Sequence, residues 1–157
     1  MNTYRAIIVC GIALALLSAC AKPAAQNRQV AVERRSEQVM PFSMSATMHT
    51  FIPTSAGGVQ SVMVHNDNAE QIALVRQHLR KEASAFSHGD FSDPAYIHGT
   101  NMPGIAEMEH DYSKMSVTYS DTPNGARIVY YTTDPKLVQA VHAWFKAQIS
   151  DHGSHSA

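Results

Sequence analysis

Two stretches of the chain carry the same succession of patterns, and that repetition narrows the folds open to it. The first begins with strand-like segments at 42–51 and 59–65, separated by Gly57-Gly58, a hairpin signal. A helical stripe follows, made by Ile72, Val75, Leu79, Ala83 and Phe86. Asp67 and Glu70 have the spacing of a capping box, and Gly89 suits the helix end. The second stretch has strand-like segments at 115–119 and 126–132 around the turn Asp121-Thr122-Pro123-Asn124-Gly125. Asp134 then caps a helix with Pro135 in its first position, and Val138, Val141, Trp144, Phe145, Gln148 and Ile149 recur at helical spacing as far as Asp151-His152-Gly153. The order ββα, loop, ββα predicts one α+β domain over roughly residues 40–153. Two hairpins would pair into a four-stranded antiparallel sheet with the helices on one face. Val75 matches Val141, and Leu79 matches Phe145, at one offset, whereas His78 and His142 match at another. The duplication is therefore architectural and does not predict two equivalent sites.

Between the halves lies Ile97-His98-Gly99-Thr100-Asn101-Met102-Pro103-Gly104. Two glycines and a proline cannot continue a helix or a central strand, so 90–104 reads as a shaped loop, with Asp93-Pro94 as a turn starter. Such a loop can aim His98 and Met102 at one point. Pro103-Gly104 can then open a short helix through Ile105, Met108 and His110.

Ahead of the domain, residues 1–19 read as an export signal: one positive charge, then an apolar run too short to span a bilayer comfortably. Leu17-Ser18-Ala19-Cys20 resembles the lipobox of bacterial lipoproteins. That resemblance implies cleavage before Cys20, lipid on its thiol and acylation of the new amino group. Ala21, where aspartate would signal inner-membrane retention, implies an anchor in the outer membrane with the domain facing the periplasm. Residues 20–39 are rich in Arg, Gln and Asn with no apolar period, so they read as a flexible tether. Residues 154–157 read as a disordered tail.

The two cysteines are Cys10, inside the signal, and Cys20. A mature chain has no thiol left for a disulfide, a zinc–thiolate cluster or a nucleophile. Net charge is −1 with no basic stripe, which argues against nucleic acid. Histidine is the unusual residue: all nine lie after position 48. Candidate metal ligands are His78, His98, Met102, His142 and His152. Imidazole with thioether and no thiolate points first to a copper ion. Haem is the alternative cofactor, attached non-covalently because no Cys-x-x-Cys-His is present. A non-catalytic envelope interaction module is the reading without a cofactor. Catalysis has the weakest case: Asp151 beside His152, or Asp93 with His98, offers an acid–base pair, but no serine sits in a Gly-x-Ser-x-Gly elbow.

From His49 to Gly153 the chain resembles small bacterial periplasmic proteins often labelled "aspartate carbamoyltransferase". The resemblance rests on His49-Thr50-Phe51, Gly57-Gly58-Val59-Gln60, Ile97-His98-Gly99, Met102-Pro103-Gly104, His142-Ala143-Trp144-Phe145 and Asp151-His152-Gly153. It implies a fold unit and a set of landmark residues. It implies no transferase chemistry, because that enzyme is a much longer two-domain protein with a carbamoyl-phosphate loop.

Overall fold

The computed structural model describes residues 13–157, with side chains from Ala24 onward. Most of the expected export signal, Cys10 included, lies outside the described residues, as does the side chain of Cys20. The elements are α1 (Ala13–Val39), β1 (Thr47–Thr54), β2 (Gly57–Val64), α2 (Ala69–Phe86), α3 (Ser92–His98), α4 (Ile105–His110), β3 (Met115–Thr122), β4 (Gly125–Thr132) and α5 (Pro135–His152). The sheet is antiparallel in the order β1-β2-β4-β3, so the two hairpins join through β2 and β4. This is the expected α+β architecture. α2 lies mainly on β3 and β4, and α5 on β1 and β2, so each unit's helix covers the other unit's hairpin.

Alternation decides the inward face of each strand. Thr47, His49 and Phe51 point in from β1, Val62 and Val64 from β2, and Ala126, Ile128, Tyr130 and Thr132 from β4. They meet Val75, Leu79, Ala83 and Phe86 of α2 and Leu137, Val141, Trp144 and Phe145 of α5. Leu137 fills the core where Val138 was expected, and Val138 is half-buried. The Gly57-Gly58 pair lies within β2 and the turn falls at Ser55-Ala56. A Cβ on Gly57 would stand 2.2 Å from the Tyr130 carbonyl oxygen, so this glycine serves the close approach of β2 to β4.

The duplication extends to polar contacts. Arg76 of α2 donates to the carbonyls of Thr122, Pro123 and Gly125 at the β3–β4 turn. His142, at the offset that matches Val75 to Val141, donates from Nε2 toward the carbonyls of Thr54 and Gly57 at the β1–β2 turn. Each helix thus holds down the turn of the hairpin it covers.

Four local expectations need correction. Asn68, not Asp67, caps α2, because its Oδ1 accepts from the Gln71 N–H. The loop expected over 90–104 contains α3, with Asp93 and Pro94 in its first turn, where a missing N–H costs nothing. The flexible tether expected over 20–39 is helical and packs on the domain: Val32 and Ser36, four apart, are buried. Its own apolar period is too weak to have predicted this. What holds it is tertiary: Arg28 and Arg35 donate to the His98 and Ile97 carbonyls, which α3 leaves free at its C-terminus. The tail expected to be disordered forms a tight turn at Gly153–His155, then pairs beside β1: the Ala157 N–H donates to the His49 carbonyl, and the Ala157 carbonyl accepts from the Phe51 N–H.

Gly104 has φ +84°, and a Cβ there would stand 2.1 Å from the Ala140 carbonyl oxygen. Gly104→Ala combines left-handed strain with a backbone collision between α4 and α5. It should cost about 2 kcal/mol or more, read as a lower urea midpoint; an unchanged midpoint would refute this packing.

Candidate metal centre

A cavity of about 30 Å³ lies between α2, α3, α5 and the inner face of β1. Its walls include His49, His78, His98, His152, Glu82 and Met40, with Trp144 at its floor. A cavity of that volume with polar groups in its lining accommodates an ion or one or two waters.

Each imidazole arrives from a different element. His49 points inward from β1 because it shares a face with Thr47 and Phe51, and it is 2% exposed. Neither of its ring nitrogens has a hydrogen-bond partner. His152 ends α5 and stacks on His49, with ring centroids 5.1 Å apart and planes within 5°. His98 ends α3 and meets His152 edge-on at 4.9 Å. Its Nδ1 lies 2.9 Å from Asp151 Oδ2, so Nδ1–H donates to the carboxylate and Nε2 keeps its lone pair. Metal-binding histidines are oriented by the same kind of bond. Asp151 is held in turn by Arg28, whose Nε and Nη2 reach its two oxygens at 2.5 and 2.6 Å. His78, from α2, stands on the far side of Phe42: that ring is 5.6 Å from His78 and 6.0 Å from His49.

The structure thus brings together His98 and His152, with His78 on the same cavity wall. It adds His49, Asp151 and Arg28. Two expected ligands lie elsewhere. His142 is engaged with the β1–β2 turn. Met102 is buried in the hydrophobic core, and Met40 is the thioether at the cavity. The reason is that α3 ends at His98 with Gly99 as its cap, and the chain then leads to Gly104 against Ala140 of α5, so the two side chains part. The acid–base pairings also change: Asp93 pairs with Lys81 at 2.7 Å, and Asp151 bonds His98 and not its neighbour His152. His49 was visible in the alternation of 42–51, but alternation alone does not say which face is buried.

The rings pack face to face and edge-on and do not form a cage: among the described residues no three His, Cys, Asp or Glu side chains are set around a common point for a metal ion. Burial favours the neutral form of His49, His78 and His152. It lowers His49 to about 4, with the neighbouring His78 adding to the effect, while the His155 main chain opposes it from beyond hydrogen-bonding geometry. Burial, then the charge of Lys81, lowers His78 to about 4. His152 is lowered well below the usual range by burial and by His49. One turn along α2 from His78, burial and then Asp93 raise Glu82 to about 8, and its Oε1 has no hydrogen-bond partner. Burial alone would raise Asp151, but the bonds from His98 and Arg28 outweigh it and bring it down to about 2.

Among the described residues no helix is long and apolar enough to cross a membrane. Comparison with family models, with curated proteins and with solved structures finds no match for this chain.

These shifts set a pH profile for chelator-treated protein. His49, His78 and His152 have folded values below the unfolded one near 6.5, so the stability tied to them is lost as pH falls from 6.5 toward 4. Glu82 has a folded value above its ordinary 4.5, so its contribution is lost as pH rises toward 8. Three imidazoles outweigh one carboxyl between 4.5 and 6.5, and above that only the carboxyl remains. Asp151 acts only below its ordinary value. Stability should therefore peak near pH 6.5 and fall on the acid side by on the order of 2 kcal/mol per pH unit at its steepest. Urea midpoints across pH 4–8 check this: Glu82→Gln should abolish the alkaline decline and His49→Phe should flatten the acid limb. A profile level across pH 4–8 would contradict the burial of these groups.

Proposed function

We propose that this chain is a periplasm-facing lipoprotein, anchored through Cys20 in the outer membrane, whose domain binds a transition-metal ion, copper first, in the histidine cavity. The observation that carries this reading is the buried run His49–His152–His98, in which His49 has no hydrogen-bond partner for either nitrogen. An unpaired buried polar group costs about 1–3 kcal/mol, and a cation bound to it offsets that cost. The lowered imidazoles are neutral near pH 7, so protons do not compete with a metal for them. Asp151 leaves His98 Nε2 free to bind. Imidazoles with the Met40 thioether and no thiolate favour copper over zinc. Loading requires ring rotation, since nitrogens on one ion lie within about 4 Å of each other. Histidine χ2 is a soft torsion that permits it.

The cavity favours an ion over haem: organic cofactor pockets run to hundreds of Å³, against about 30 Å³ here. The anchor rests on the Leu17-Ser18-Ala19-Cys20 sequence.

Elemental analysis after incubation with Cu(II), Zn(II) and haem in turn should find one copper per chain. His49→Phe should abolish that uptake, and Asp151→Asn should weaken it about 10–100-fold. His142→Ala should keep the copper while lowering stability. A folded wild-type protein that takes up no metal would end this reading in favour of an interaction module. Separately, Cys20→Ser should lose lipid labelling and appear in the soluble fraction. Continued labelling of that variant would refute the anchor.

A further inference from the structure

His152 lines two spaces. On one side is the inner cavity of about 30 Å³. On the other is a groove of about 210 Å³ between α1 and the turn at Gly153–His155, with Glu33, Gln29 and His155 among its walls. The turn and the paired tail form the outer layer over His49 and His152. His155 is half-buried, and among the described residues its ring makes no hydrogen bond, nor is Glu33 in an ion pair.

The two volumes set a constraint on anything that passes between them. At about 10–15 Å³ per water centre, the inner cavity takes an ion with at most a water or two. The groove has room for an ion with a full hydration shell. A hydrated cation must therefore exchange water for protein ligands before it moves inward. Donors for that exchange line the groove: a carboxylate on α1, an imidazole on the turn, and His152, which also lines the inner cavity.

We propose that this groove is an outer metal position, in which Glu33 and His155 receive hydrated Cu(II) and pass it through His152 to the inner pocket. This rests on the reading of the inner pocket as a copper site. Imidazole, carboxylate and water are a set that Cu(II) accepts. The step is ligand exchange: copper–water bonds break as bonds to the Glu33 carboxylate and the His155 imidazole form, the waters leave through the groove, and those two bonds break in turn as copper–nitrogen bonds to His152 and the inner imidazoles form. No electron moves and copper keeps its charge. α1 forms one wall of the groove, so the way in opens beside the helix that leads back to Cys20.

Trp144 is the only tryptophan and lines the inner cavity, so quenching of its fluorescence by Cu(II) reports arrival there. Stopped-flow mixing of the full-length protein in detergent with Cu(II) gives the rate, and elemental analysis of the same sample gives the stoichiometry. His155→Ala and Glu33→Gln should each slow quenching tenfold or more while the final amplitude, set by the inner imidazoles, is still reached. His88→Ala, on the surface of the other unit, should leave the rate unchanged. The two test residues sit on different elements, which separates a transfer role from a loosened tail. Slowing by His155→Ala alone, together with a lowered melting temperature, would overturn the proposal. So would unchanged rates in both variants, or a reduced final amplitude. Wild-type protein that neither quenches nor retains copper would remove the inner site, and the outer position with it.

Discussion

A carboxylate taken out of water must be paired, and Asp151 meets that requirement with three elements at once. Its side chain is 4% exposed at the end of α5, with one bond from His98 at the end of α3 and two from Arg28 on α1. The same guanidinium donates to the His98 carbonyl, so one cation neutralises the acid and caps a helix. Removing Arg28 would leave the buried Asp151 charge without its cation. This arrangement holds α1 against the domain, orients the His98 ring and places His152, the next residue along, against His49. The candidate site is built outward from that ion pair.

The frame beneath it is the duplicated sheet. Each helix lies over the opposite hairpin, and Arg76 and His142 hold the two turns in equivalent ways. The site arises where the repeat breaks. At the offset that matches Val75 to Val141, His78 corresponds to Trp144, Glu82 to Gln148 and Phe86 to His152. The first unit supplies the ionisable group at two of these positions, against an aromatic and an amide, and the second unit supplies it at the third, where His152 stands opposite Phe86. The shared pattern makes a closed core, and His78, Glu82, Gln148 and His152 bring polar groups to one cavity within it.

Within each unit, the strands, the helical stripes and the cap at Asp134 were legible because they depend on neighbours a few residues apart: alternation, helical spacing and turn chemistry. The same local reading missed the α1 packing and the pairing of the tail. Residues 24–39 have little apolar surface of their own, and their order comes from bonds to carbonyls some sixty to seventy positions away. His142 was legible as a histidine on a helix flank, but whether such a side chain meets a metal or a turn carbonyl depends on which hairpin lies beneath it.

By itself the sequence determined the ββα repeat, a supply of histidines with no cysteine after Cys20, and the lipobox-like segment that directs the functional reading. It did so because periodicity and composition are properties of the chain alone. Tertiary structure decided that His49 is buried, that His98 and Met102 part company, and that Arg28, Asp151 and His98 form one unit. Those outcomes depend on which face of β1 turns inward and on where the end of α3 meets α1 and α5. A buried polar group finds its partners only once separate elements have packed, and no local spacing encodes that meeting.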